Sequence, residues 1–120
     1  MKYFFDSYAI IEILKRNQSY GRFSDTEIVT SDLNIGEVYY YLLKTAGKEN
    51  ADLWYGRMNA RLIPIDTNTV VNAMYFRFKN RRNDLSLIDC IGYLLALSNS
   101  MKFLTGDKEF EHRENVEFVK

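Results

Sequence analysis

The sequence has few of the residues that mark several common classes of protein. One cysteine and one histidine in 120 residues exclude a disulfide scaffold and argue against a cysteine- or histidine-based metal site. The 16 basic and 16 acidic residues leave no net charge, so any contact with nucleic acid must depend on a local site rather than on the whole surface.

Long apolar runs are also missing. None approaches the ~20 residues that span a bilayer, and the N-terminal apolar stretch is interrupted by Asp6 and Glu12 and lacks a signal-peptide cleavage pattern. We therefore expect a cytoplasmic protein with no membrane segment. Cys90 lies in an apolar helical pattern and is expected to fill the core, whereas His112 lies in a polar segment and is expected at the surface.

Short apolar runs alternate with longer helical patterns, and with 47% apolar residues the chain can form one core, so residues 1–120 are predicted to be a single domain. Pro64 suggests that the third strand lies at an edge of the sheet. We expect an α/β fold with a parallel sheet of about five strands and helices on both faces. The predicted strands are 2–6, 27–30, 61–66, 102–105 and 116–119, and the predicted helices are 7–16, 33–46, 49–61, 67–79 and 87–98, with a further short helix within 17–25.

Four carboxylates stand out because they lie in or directly after otherwise uncharged apolar segments. Asp6 is the only charge in residues 3–11, Glu37 in 33–43 and Asp89 in 85–101, while Asp107 closes the run 103–107. An ionised carboxylate near a core costs several kcal/mol unless it is paired or binds a cation. No Lys or Arg shares these segments, so the expected cation is Mg²⁺ or Mn²⁺, which oxygen ligands prefer.

The predicted topology allows these acids to meet. Ligands of open parallel sheets bind at the carboxyl ends of the strands, where Asp6 and Asp107 follow strands and where Glu37 and Asp89 lie in the first turns of helices. A carboxylate-bound divalent ion activates water and neutralises phosphate charge, which predicts phosphodiester hydrolysis. Thr105 and Ser7 are candidates to hydrogen-bond the carboxylates, or else simply end a strand and cap a helix.

The segments Leu85-Ser86-Leu87-Ile88-Asp89-Cys90 and Leu104-Thr105-Gly106-Asp107-Lys108-Glu109-Phe110 resemble the signature of PIN-domain ribonucleases, especially VapC-like toxins. Asp6 after the first strand and Glu37 early in a later helix match the other acidic positions. The resemblance implies a flavodoxin-like sheet and Mg²⁺ or Mn²⁺ bound by Asp6, Glu37, Asp89 and Asp107, with Thr105 as a supporting hydroxyl. It also implies an RNA substrate, a homodimer and an antitoxin partner.

Other interpretations remain open. Asp6, Asp89 and Asp107 could each merely cap a helix, Glu37 could lie on a solvated helix face, and Asp66 is interpreted mainly as a cap. The same fold also serves structure-selective DNA nucleases and noncatalytic binding modules, whereas a phosphoacceptor receiver would need paired acids early in the chain.

Two surface features are less specific. The basic run of 77–82 could contact RNA or an acidic antitoxin segment, or be a solvated helix end. The aromatic residues on the predicted helical hairpin suit a groove for a partner helix or stacked bases, or else belong to the core. They are Tyr39, Tyr40, Tyr41, Trp54 and Tyr55.

Overall fold

Five parallel strands form the centre of the fold in the computed structural model, which describes residues 2–120. In chain order they are β1 (Tyr3–Phe5), β2 (Ile28–Thr30), β3 (Ala60–Leu62), β4 (Lys102–Thr105) and β5 (Val116–Phe118). The order across the sheet is β3-β2-β1-β4-β5, and every neighbouring pair is parallel. The predicted flavodoxin-like α/β arrangement is confirmed, although flavodoxin itself has the strand order 2-1-3-4-5.

The helices begin and end close to the residues that the sequence indicates. They are α1 (Ser7–Leu14), α2 (Asp32–Ala46), α3 (Lys48–Arg57), α4 (Thr67–Lys79) and α5 (Leu87–Ser98), with short 3₁₀ helices at Gln18–Phe23 and Lys108–Phe110. Ser31 caps α2, and Gly47 ends it with a φ of 87° that favours glycine. Among the helices of residues 2–120, none is both long enough and apolar enough to cross a membrane.

The sheet has a core on each face, as predicted. Alternation along β1 and β4 directs Phe4 and Phe103 into the core under α4 and α5, and Phe5 and Leu104 into the core under α1 and α2. Because both faces are covered, the polar ends of the strands are the part of the sheet left open for a site.

Two boundaries differ from the sequence-based expectation by more than two residues. Helix α3 was expected to reach residue 61 but ends at Arg57, because the chain must already be extended at Ala60 to pair with Ile28 of β2. Strand β3 was expected to continue to residue 66 but ends at Leu62, just before Pro64, which has no N–H to donate. The expected edge position of this strand is confirmed.

Helix α5 is held close to the sheet, which fixes the position of its first turn. A Cβ on Gly92 would meet the rings of Phe4 and Phe103 at 3.1 Å, so glycine permits this close approach. The neighbouring Tyr93 stacks edge-to-face on Phe103 and donates a hydrogen bond to the Glu114 carbonyl at 2.7 Å. The start of α5 is therefore rigidly placed relative to β4.

Candidate active site

The order of the strands reverses between β1 and β4, and ligands of open α/β sheets bind at such a switch point. Asp6 directly follows β1, Thr105 ends β4, and Asp107 lies two residues beyond it. The first turn of α5 carries Asp89 to the same end of the sheet, and the second turn of α2 carries Glu37 there.

A cavity of about 440 Å³ lies at this point, and we call it the acid cavity. All four carboxylates predicted from the sequence line it, so the structure brings them together as expected. The complete lining is Asp6, Ser7, Tyr8, Ile11, Glu37, Tyr40, Tyr41, Lys44, Asp89 and Asp107.

Asp6 is the most buried of the four acids, with 3% of its surface exposed. The Thr105 hydroxyl donates a hydrogen bond to its Oδ2 at 2.7 Å and accepts one from the Asp107 N–H at 3.1 Å. Burial, followed by the charges of Asp89 and Glu37, raises the pKa of Asp6 from 3.8 to about 7 despite the Thr105 bond. The fold thus holds a carboxylate where its negative charge is poorly tolerated.

Asp89 both caps α5 and lines the acid cavity. Its Oδ2 accepts the Ser86 N–H at 2.9 Å while the Ser86 hydroxyl accepts the Asp89 N–H at 3.1 Å, which is a capping box. Burial, with the charges of Asp107 and Glu37, raises the pKa of Asp89 even though the Ser86 bonds lower it. The capping interpretation is therefore correct, and the carboxylate lines the acid cavity as well.

Asp107 is also both a cap and a cavity residue, because its Oδ1 accepts the Glu109 N–H at 3.0 Å. By contrast, Asp66 caps α4 through the Thr69 N–H at 2.8 Å and lies outside the cavity, as the sequence indicated. Within residues 2–120, none of the ion pairs involves an acid of the cavity.

The lining fits a hydrated hard cation better than a fully enclosed one. Across residues 2–120, no three Asp, Glu, His or Cys side chains converge closely enough to enclose a metal ion by themselves. Four carboxylates nevertheless share one cavity, and Mg²⁺ typically keeps several waters and takes only one or two carboxylates directly. An oxygen-only donor set in which burial, followed by acidic neighbours, destabilises the charge on Asp6 fits that mode of binding.

The family follows from the sequence profile of the PIN domain, which matches residues 3–115. That range includes every strand except the last and all four acids of the cavity. The chain belongs to the PIN domain family. A comparison with curated proteins gave no match.

Solved structures of similar fold include proteins of toxin–antitoxin systems. VapC20 of Mycobacterium tuberculosis, a sarcin-ricin loop cleaving toxin, has a TM-score of 0.84 and 15% identity over 99% of this chain and 100% of its own. A toxin–antitoxin complex from Klebsiella pneumoniae contains a chain with a TM-score of 0.73 and 16% identity, covering 98% of this chain and 96% of that one. VapBC2 of Rickettsia felis, bound to a promoter DNA fragment, gives 0.73 and 17% with complete coverage of both chains. At identities this low, the structural similarity establishes a shared fold and nothing more.

The sequence did not identify one polar network beneath the acid cavity of this PIN domain. Asn34 is fully buried; its Nδ2 donates to the Ser7 hydroxyl at 2.9 Å, and its Oδ1 accepts the Ser31 hydroxyl at 2.6 Å. The Ser7 side chain therefore ties α1 to α2, and only its backbone N–H reaches the Asp6 carboxylate. Asparagine just inside a helix usually indicates a solvated first turn, so no sequence signal pointed to this network.

Two further lining residues, Tyr40 and Lys44, were also not assigned to the site. They follow Glu37 on α2 at spacings of three and seven residues, which places them on one side of the helix. Helical periodicity measured from Glu37 is the signal that identifies them. Lys44 is the one cation that lines the acid cavity in the described part of the chain.

The aromatic residues of the helical hairpin do not form one surface. Tyr40 and Tyr41 line the acid cavity, whereas Trp54 is partly buried against the Phe5 side of the core. Tyr39 and Tyr55 meet edge-to-face along a separate groove of about 540 Å³ between α2 and α3, which we call the hairpin groove. The hairpin groove is lined by Asp32, Ile35, Gly36, Tyr39, Asp52, Tyr55, Met58 and Leu62.

Two arginines of the basic run at the end of α4 form hydrogen bonds with nearby backbone carbonyls. Arg77 donates to the Leu85 carbonyl at 3.0 Å, and Arg81 donates to the Phe78 carbonyl at 3.0 Å while lying over the Phe78 ring. These contacts support the interpretation as a helix end, and a contact with RNA stays a prediction. His112 is exposed and Cys90 is fully buried, as expected.

Proposed function

We propose that this PIN domain is a metal-dependent endoribonuclease that hydrolyses RNA phosphodiester bonds in the cytoplasm as the toxin of a toxin–antitoxin pair. The supporting observation is the acid cavity, where four carboxylates share about 440 Å³ and none of the ion pairs formed within residues 2–120 includes any of them. A carboxylate whose pKa rises to about 7 among acidic neighbours is typical of a functional site rather than of a stabilising contact.

In this proposal Asp6, Glu37, Asp89 and Asp107 would hold Mg²⁺ or Mn²⁺, either directly or through the ion's own waters. The ion supplies Lewis-acid activation of water and neutralises charge on the attacked phosphate. Thr105 acts as a positioning residue, because its hydrogen bonds join the Asp6 carboxylate to the backbone of Asp107. The Ser86 capping box fixes the backbone that carries Asp89, and one Asp89 oxygen keeps lone pairs for the cavity.

RNA is the favoured substrate because VapC20, which shares the fold over nearly the whole chain, is a toxin that cleaves the sarcin-ricin loop. The same carboxylate chemistry would serve DNA, so substrate choice depends on groups outside the metal ligands. A structure-selective DNA nuclease and a noncatalytic binding module are the outcomes against which the test below is designed.

The antitoxin partner is supported by two structures of similar fold, the toxin–antitoxin complex from Klebsiella pneumoniae and VapBC2 from Rickettsia felis. In this chain the hairpin groove has a largely apolar floor, including Ile35 and Met58, with Asp32 and Asp52 among its lining residues. It therefore suits an amphipathic segment with basic residues beside its apolar face.

A homodimer is the third element of the proposal. The outer face of α4 exposes Val71, Met74, Tyr75 and Phe78, each to between 46% and 61%, at the spacing of one helical stripe. Contiguous exposed apolar surface of this kind marks an interaction site more often than a free monomer surface. Light scattering on the purified chain is expected to give the mass of a dimer, and Phe78→Glu is expected to give a monomer that remains folded.

The central test is cleavage of a single-stranded RNA and of the DNA of the same sequence by the purified chain. We expect RNA cleavage with millimolar Mg²⁺ or lower Mn²⁺, because hard cations bind such sites weakly, and none in excess EDTA. Full activity in EDTA would end the metal assignment. DNA cleavage with RNA left intact would assign the chain to DNA, and RNA binding without cleavage in either metal would make it a binding module.

A further inference from the structure

The side of α2 that borders the acid cavity carries groups that do not belong to the core. Glu37, Tyr40, Tyr41 and Lys44 line the cavity from this helix, and we call them the α2 rim. From Glu37 to Lys44 the rim extends about 10 Å along the helix axis, at about 1.5 Å per residue. It is long enough to contact a ligand that extends beyond the carboxylates.

Lys44 is a cation in an otherwise acidic cavity, yet none of the ion pairs in residues 2–120 includes it. Its Nζ lies over the Tyr40 ring, 4.8 Å from the centroid. The ammonium group is thus held by an aromatic face and exposed to solvent rather than neutralised by a carboxylate, so it remains available to an anionic ligand.

Tyr40 has no structural role that explains its position. It is 61% exposed and belongs to neither side of the core. An exposed aromatic ring beside a polar cavity is free to receive a ligand, and nucleobases stack on such rings whatever their sequence.

We propose that Tyr40 and Lys44 form a nucleotide subsite, in which an unpaired base stacks on Tyr40 and Lys44 binds a phosphate next to the bond that is cut. This inference rests on the proposed ribonuclease function and adds the residues that would bind the nucleotide beside the cut, which must be unpaired. A paired base keeps its neighbours stacked above and below and cannot present its face to the tyrosine.

A lysine at the other end of the sheet supplies a control. Lys102 begins β4, at the end of the strand opposite the acids, and it does not line the acid cavity. The second Tyr–Lys pair, Tyr75 and Lys79 on α4, has the same 4.8 Å geometry, but it belongs to the face proposed for the dimer and to the basic run whose RNA contact stays a prediction. Lys102→Gln therefore controls for any general loss of positive charge.

The test measures cleavage of single-stranded RNA by the full chain as a function of substrate and salt concentration. Tyr40→Ala is expected to raise KM about fivefold or more with kcat little changed, as for the loss of one stacked base, whereas Tyr40→Phe keeps the ring and the wild-type KM. Lys44→Gln is expected to flatten the slope of log KM against log salt by about 0.7, the value for one phosphate contact on a single strand, and Lys102→Gln to leave it unchanged.

A binding measurement separates this proposal from the proposed function. In the Asp6→Asn background, RNA containing 2-aminopurine is expected to be quenched on binding, and the quenching should disappear with Tyr40→Ala. Wild-type cleavage combined with unchanged KM, salt slope and quenching in the Tyr40 and Lys44 variants would overturn the subsite and leave the ribonuclease proposal standing. Equal affinity for the duplex of the same sequence would also overturn it. If the wild type fails to cleave RNA in any metal while Tyr40-dependent quenching persists, the cleavage proposal fails and the subsite is supported.

Discussion

The strand side and the α2 side of the acid cavity differ in burial and in bonding. On the strand side, Asp6 and Thr105 are buried and joined by a hydrogen bond, and Thr105 also holds the Asp107 backbone. On the α2 side, Tyr40 and Lys44 are exposed and contact each other through a cation–π interaction. The first arrangement fixes charge at a free-energy cost, and the second leaves side chains free to adapt to a ligand. We infer that the strand side, together with Glu37 and Asp89, determines the chemistry and that Tyr40 and Lys44 determine the substrate.

The largest expected effect comes from removing charge on the strand side. Asp6→Asn keeps the shape and can still accept the Thr105 hydrogen bond, but it removes a metal-binding charge, so cleavage should fall at least about 100-fold. Asp66→Asn is the control, since Asp66 also follows a strand but only caps α4, and asparagine caps equally well. Initial rates of RNA cleavage check both variants. A rate for Asp6→Asn within about tenfold of wild type would remove Asp6 from the site.

The next effect concerns stability and pH in the absence of metal. The folded chain keeps a proton on Asp6 up to about pH 7 that the unfolded chain releases near 3.8, so ionisation of Asp6 makes the free energy of unfolding fall as pH rises through this interval. The contribution is on the order of a few kcal/mol. The free energy of unfolding is measured in urea at each pH for the wild type and for Asp6→Asn. The difference between the two proteins separates the contribution of Asp6 from those of other titrating groups.

The same two proteins are also compared at pH 8 with and without Mg²⁺. Mg²⁺ is expected to raise the unfolding midpoint of the wild type more than that of Asp6→Asn, because it binds the folded chain preferentially. If the free energy of unfolding falls equally with pH in the wild type and in Asp6→Asn, ionisation of Asp6 does not destabilise the folded chain.

A smaller effect tests how tightly the strand side is packed. A Cβ on Gly106 would collide with the Tyr8 ring and with the Val119 carbonyl, and a backbone carbonyl cannot move aside. Gly106→Ala should therefore cost about 1–3 kcal/mol, the usual range for overpacking. Gly56→Ala in α3 meets nothing within 4 Å and should instead stabilise the helix by about 0.5–1 kcal/mol. Equal unfolding midpoints for these two variants would contradict the packing described.

The smallest effect separates the two roles of Asp89. Asp89→Ala loses both the cavity charge and the capping bond to Ser86, whereas Asp89→Asn can still accept that bond. We expect both variants to lose cleavage and the alanine variant to be less stable than the asparagine variant by about 1 kcal/mol. If the two are equally stable, the capping box contributes nothing measurable.

Most of the fold was predictable because its signals are local. The caps at Ser31 and Ser86, the stop at Gly47 and the alternation along β1 and β4 each act within a few residues, and the strands and helices follow from them. The end of α3 was not predictable, because it is imposed by pairing with β2, a contact between distant parts of the chain.

The acids of the candidate site were predictable because a sequence shows directly where a single charge lies in an apolar segment. The four acids met at one cavity as expected, while their binding of metal stays a prediction. Asn34 could not be identified, because only the folded arrangement of α1 against α2 buries it and gives it partners. Tyr40 was predicted only as one of five hairpin aromatics that suit a partner helix or stacked bases, and Lys44 was not singled out, because a sequence does not show which Tyr–Lys pair lies beside the acids.

The burial of Cys90 has a practical consequence for measuring motion and binding. Its thiol is fully buried, and burial raises its pKa to about 11, so it should be nearly inert to maleimide and iodoacetamide at neutral pH. Since the chain has one cysteine, a cysteine introduced at an exposed position such as Leu97 would be the single reactive thiol without any prior removal of native ones. A fluorophore or spin label there would report on the protein with its interior unaltered.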